Sequence, residues 1–225
     1  MTNLVPSFKD SLFSPTYDIS AEYLEIGLDM LIESDITRDI PIVNSIASVC
    51  KIGYNLHERN LIKQTLAFIL GYNNGTLSPE DIVRHRQELD KNPSKAEKEL
   101  GRVLVILGNQ VEHLQSQILG GFYGAYVNGF ISWDKFCELS EANRRMFVSD
   151  YKILDDAVKS GGIQLKDREL YQVDRLISLG LLQYRNRLGG TEWINFDEPV
   201  QETVDIIVTS FGQTFHQYSP VTFDL

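Results

Sequence analysis

The stretch Leu170-Tyr171-Gln172-Val173-Asp174-Arg175-Leu176-Ile177-Ser178-Leu179-Gly180-Leu181-Leu182-Gln183-Tyr184 decides the fold class. Leu170, Val173, Leu176 and Ile177 recur at helical spacing, and Leu179-Gly180 stops the helix. Leu181 to Tyr184 then read as extended chain. Upstream, Ser149 starts a helix with Tyr151 and Leu154 that ends at Gly161-Gly162, and Leu165 opens the next helix. Downstream, Val204, Ile206 and Val208 alternate with Asp205 and Ile207 as in a strand. Thr209 or Ser210 caps a last helix with Phe211 and Phe215. Helix, helix, strand, long hairpin, strand, helix is the order of a winged-helix module. Gly189-Gly190 and Glu198-Pro199 mark turns in the hairpin, and Thr191 to Phe196 reads as an extra strand of an enlarged wing.

Before residue 148 the pattern is helical. Residues 1–17, with Pro6 and Pro15 and no periodicity, read as an arm. Ala21, Leu24, Leu28 and Leu31 make one amphipathic helix. Pro41 opens another, whose stripe Ile42, Ile46, Val49, Gly53 and Leu56 steps by four and three residues. Such a narrow stripe is what a seam with a second copy or a partner helix needs. The phase slips at His57-Glu58-Arg59-Asn60, a polar junction between two apolar runs. Ser78-Pro79-Glu80-Asp81 and Ser94-Lys95-Ala96-Glu97 are helix starts, and Ser132 caps a helix carrying Phe136, Leu139 and Phe147. Gly120 and Gly124 lie within a helical pattern, as close helix packing or a ligand pocket requires. The expected fold is therefore mainly α: an arm over 1–17, a helical bundle domain over 18–147, and a winged-helix-like α+β module with a small β-hairpin over 148–225.

Composition limits the function. The chain has 225 residues with 43 % hydrophobic residues, which excludes bulk disorder. No apolar run reaches the ~18 residues of a membrane span, and Ile40 to Ile52 carries Asn44, Ser45, Ser48 and Lys51. The first ten residues lack the basic-then-apolar order of a secretory signal. Cys50 and Cys137 are too few for a disulfide scaffold. A cytoplasmic protein is expected. The net charge is −10, and between Asp18 and Asp39 seven acids face one base. That surface repels phosphate backbones and anionic lipids.

The segment Ile40-Pro41-Ile42-Val43 through Arg59, the helix from Glu99-Leu100-Gly101-Arg102, and Gly120 to Phe136 resemble a group of uncharacterised bacterial proteins. So do Asp174 to Leu182 and the ending Thr209-Ser210-Phe211-Gly212-Gln213-Thr214-Phe215, a Thr-x-x-Gly-x-x-Phe pattern. In that group a helical domain precedes a winged-helix-like end, a layout similar to the abortive-infection alpha proteins. The resemblance implies a bacterial origin and a role in phage defence. It carries over no catalytic residue.

No catalytic constellation is expected from the residues either. His57, His85, His113 and His216 form no i, i+4 metal pair and read as surface histidines. There is no Gly-x-Ser-x-Gly elbow and no phosphate loop. Asp150-Tyr151-Lys152 resembles half of a nuclease metal motif but lacks its strand and its upstream acid partner and is discounted, and Asp155 and Asp156 read as solvated. No metal and no cofactor is expected. The helix from Leu165 to Leu179 balances three bases against three acids, unlike a helix that reads DNA. Arg185, Asn186 and Arg187 are the one basic wing contact, outnumbered by nearby acids. The expectation is a non-enzymatic interaction or oligomerising protein whose partner is a protein or a second copy. Nucleic acid is allowed but not favoured, and a membrane is not favoured. The alternative is a defence effector or regulator that binds DNA through the wing or acts at a membrane.

Overall fold

A computed structural model describes residues 4–13, 40–49, 56–75, 77–165, 168–185 and 205–221. Ten helices hold 76 % of them, which makes the protein mainly α, and the remaining regular structure is a small three-stranded antiparallel sheet. The described residues fall into two compact units. One runs to Arg144 and includes Tyr218–Val221; the other is Arg145–Gln217.

In the N-terminal unit, residues 4–13 form helix α1 (Leu4–Phe13) where an arm is expected. Pro6 sits in the first turn, where its missing N–H leaves no helical bond unmade. Val5, Phe8 and Leu12 do repeat at helical spacing, and all three are buried. Helix α2 (Pro41–Val49) begins at the expected proline. The Ser11 hydroxyl on α1 accepts from the Ile42 N–H at 2.9 Å, and the Ser45 hydroxyl donates to Ser7 at 2.5 Å. Ile42 and Ile46 are buried within this chain. Much of what lies over α2 is the chain's own α1.

Helices α3 (Leu56–Asn74) and α6 (His113–Val127) make the most extensive contact. A Cβ at Gly120 would overlap the Phe68 carbonyl oxygen, and one at Gly71 would overlap the Gln117 carbonyl oxygen. Of the two readings of Gly120, close helix approach is the one realised. Helix α4 (Pro79–Lys91) starts at the expected cap, with the Asp81 N–H donating to the Ser78 hydroxyl. Asn92 ends α4 and caps α5 (Pro93–Gly108), its side chain accepting from the Lys95 N–H at 3.1 Å. The expected cap at Ser94 thus gives way to Asn92, because Pro93 takes the first helical position. Ser132 accepts from the Lys135 N–H at 3.2 Å and starts α7 (Trp133–Arg145). Phe147 lies beyond that helix and is exposed, not in its core as its spacing predicts.

The C-terminal unit begins with α8 (Val148–Ser160), ended by Gly161 at φ +73°. A left-handed residue there favours glycine. Strand β1 (Ile163–Gln164) has no counterpart in the sequence reading. Helix α9 (Leu170–Ser178) starts five residues after the expected Leu165. Strand β2 (Leu182–Tyr184) follows it, then β3 (Asp205–Val208) and α10 (Ser210–Gln217). The sheet order is β1-β3-β2, with Ile163 opposite Ile206 and Leu182 opposite Val208. The Thr-x-x-Gly-x-x-Phe ending is structural. Thr209 donates to the Gly180 carbonyl at 2.6 Å and accepts from the Gly212 N–H at 2.9 Å. A Cβ at Gly212 would overlap the Leu181 carbonyl oxygen, and Phe215 is fully buried.

Candidate functional site

Each unit holds one arrangement that stands out chemically. In the C-terminal unit it is a surface. Phe147 and Tyr171 are 63 % and 61 % exposed, with Leu170 and Val148 also exposed. They come from the starts of α8 and α9, which the Gln172 amide joins by donating to Ser149 at 3.2 Å. The Arg175 guanidinium carbon lies 4.6 Å from the Phe147 ring centre and 5.7 Å from that of Tyr171. Beneath, Arg175 donates twice to the fully buried Asp150 carboxylate, at 2.7 and 2.6 Å. Asp150 also accepts from the Phe147 N–H at 2.8 Å. The Asp150 bond holds the Arg175 guanidinium above its ordinary pKa, so it stays charged. Asp150 is thus an anchor for this arginine. The result is a planar cation fixed between two exposed rings. Arg and aromatic residues are the side chains enriched at protein interfaces.

The same unit corrects two further expectations. Asp155 is buried and meets His216 at 2.9 Å and Lys159 at 2.7 Å. Burial pushes its carboxyl up, but the bonds from Lys159 and His216 outweigh burial and hold it below the ordinary value. Asp156 pairs with Arg168 at 2.5 Å. Neither acid is merely solvated.

In the N-terminal unit the arrangement is a pocket of about 210 Å³ lined by Lys95, Lys98, Glu99, Tyr126 and Trp133. Glu99 is 3 % exposed. It falls on the buried face of α5 with Ala96, Leu100 and Val103, a carboxylate in an apolar row. One carboxylate oxygen accepts from the Tyr123 hydroxyl at 2.6 Å and meets His85 Nε2 at 2.7 Å. The other accepts from the Tyr126 hydroxyl at 3.1 Å. Burial, and next the Glu99 charge, push both tyrosines above their ordinary pKa, so they remain O–H donors. His85 is buried and not on the surface, because it shares a face of α4 with Leu89. Its Nδ1 is 4.0 Å from Glu88, which the hydrogen bond from Lys95 holds below its ordinary pKa. Ring walls complete the pocket, with Trp133 stacked on Phe136 at 4.9 Å and 5.2 Å from Tyr126.

The residues singled out from sequence lie elsewhere. Of the stripe, Ile42 and Ile46 are interior and Leu56 is exposed; Gly53 and the side chain of Val49 fall outside the described residues. The polar junction forms the first turn of α3. His57 is exposed there, Glu58 and Arg59 are half-buried, and Asn60 donates to the Gln110 carbonyl at 2.8 Å. Asn60 thus ties α3 to the chain entering α6. Arg185 pairs with Asp205 at 3.8 Å, while Asn186 and Arg187 lie outside the described residues. Sequence reading missed both arrangements. A signal existed for one of them: Glu99 stands at Ala96 + 3 and Val103 − 4, inside the apolar repeat. No helix among the described residues is long and apolar enough to cross a membrane. No family model, curated protein or solved structure matches this chain.

Proposed function

We propose that the chain is a non-enzymatic interaction protein that associates through its C-terminal unit, with a second copy as the first partner. The observation that carries this reading is the Phe147–Arg175–Tyr171 surface: two rings more than half exposed around an arginine locked from below. Exposed aromatic groups cost solvation unless a partner covers them. Rigid ones also lose little side-chain entropy on binding. The helix-and-sheet layout of this unit supports a winged-helix-like module used for protein contact. Helix α9 and its N-cap place Tyr171, Asp174 and Glu169 at exposed positions, without the surplus positive charge that phosphates require. The layout similar to abortive-infection proteins supports a place for such an assembly in phage defence.

Sedimentation velocity over a concentration series tests the proposal. Self-association should be seen, and Phe147→Ser with Tyr171→Ser should abolish it while leaving the circular dichroism spectrum unchanged. A chain monomeric at every concentration, or association indifferent to the double change, overturns it.

A further inference from the structure

The surface just discussed leaves the Glu99 pocket unused. The pocket has a floor, walls and a mouth of different chemistry. The floor is a carboxylate 3 % exposed. Of the roughly four lone-pair sites a carboxylate offers, three are engaged, by Tyr123, His85 and Tyr126. The walls are the Tyr126 and Trp133 rings. Both tyrosine hydroxyls point their protons at Glu99 and the Trp133 indole can only donate, so almost no acceptor is left. A primary ammonium brings three donors and would leave most of them unmatched. A quaternary ammonium has no donors. It needs negative charge below and aromatic faces around it, which is what floor and walls supply. At the mouth, Lys95 is engaged by Glu88 at 2.7 Å, whereas Lys98 is exposed. Lys98 lines the same pocket, so an anionic group at the outer end of the same ligand would meet its positive charge. At about 210 Å³ the pocket is below the ~300–1,000 Å³ usual for drug-sized ligands, which fits a compact metabolite.

We infer that the pocket over Glu99 binds a small zwitterion, with a quaternary ammonium lodged against Glu99, Tyr126 and Trp133 and a carboxylate facing Lys98. The larger groove of about 440 Å³ lined by Arg102, Cys137 and Arg144 has no such floor: its acid, Glu141, is exposed and already paired with Arg144.

Glycine betaine is the probe. In a full-length Trp193→Phe background, excited at the red edge where tyrosine does not absorb, only Trp133 emits, so its fluorescence reports the pocket wall. Betaine should shift that emission with a saturable curve. Choline, which has the cation alone, should bind more weakly, and acetate should not bind. Glu99→Gln should weaken betaine at least about tenfold by removing the charge under the cation. Should that variant lose its fold, Trp133→Leu keeps the hydrogen bonds to Glu99 and should abolish saturation transfer to the betaine methyl groups in solution NMR. Lys98→Met should weaken betaine and leave choline unchanged. Absence of saturable betaine binding overturns the inference. So does acetate binding as well as betaine, which would make the site an anion site built on the lysines.

Discussion

The two units bury acids and quiet them in different ways. In the C-terminal unit Asp150 is closed by two parallel bonds from Arg175, and Asp155 by Lys159 and His216. Each negative charge meets a cation, and what reaches the surface is the back of the arginine between two rings. In the N-terminal unit Glu99 is held by two phenols and an imidazole, and one side of it lines a cavity. A carboxylate matched by a guanidinium is spent on structure. One held chiefly by hydroxyls keeps its field, and the low local dielectric around a buried group strengthens that field. The comparison separates an acid that builds a surface from an acid that can still attract a ligand.

Breaking the clamp gives the largest effect. Arg175→Ala leaves Asp150 buried without its cation and should cost about 3 kcal/mol, measured by urea unfolding together with amide exchange in α8 and α9. Arg175→Lys should recover only part, because an ammonium lacks the two-pronged geometry. Loosening the Glu99 site costs less. Tyr123→Phe removes one hydrogen bond to a charged acceptor, about 2 kcal/mol. Tyr126→Phe, with a longer bond at a half-buried position, should cost less than Tyr123→Phe in the same assay.

Acid titration sharpens the contrast. Asp155 has its folded-state pKa lowered from the ordinary value of 3.8. Its contribution is fully present above that value and is lost as the pH falls below it through the folded value. Asp155→Asn should therefore destabilise the C-terminal unit at neutral pH and flatten its acid transition, read by unfolding from neutral pH down to about pH 2. An unchanged acid slope in that variant would remove Asp155 from the account. The smallest effect is the control: the exposed Arg144–Glu141 pair at 2.8 Å should change stability by no more than about 0.5 kcal/mol in Arg144→Ala.

Local signals carried much of the fold. Ser78-Pro79, Pro41, Gly161-Gly162 and Gly180 mark element ends that the structure keeps, because caps and left-handed turns are decided by neighbours in sequence. The helix-to-strand switch at Leu181 and the alternation at Ile206 were legible for the same reason. Strand β1 was not: two residues carry no period, and their strand character comes from pairing with β3. Helix α1 is masked in the sequence by Pro6, which breaks a helix interior but is tolerated in a first turn. The sites were the least legible part. His85, Glu99 and Tyr123 come from three helices, and Phe147 joins Tyr171 and Arg175 across 24 and more residues. Only the packing of α4, α5 and α6, and of α8 against α9, brings them together.

The serine contacts between α1 and α2 bear on how the protein should be produced. Ser7 and Ser11 meet Ser45 and the Ile42 N–H, and Ile42 and Ile46 are interior. An expression boundary drawn after Phe13, tempting to anyone who trims a tail, would uncover those isoleucines and an unmatched backbone donor. Such a trimmed chain would stick to itself for reasons of its own, and its oligomer size would describe the cut.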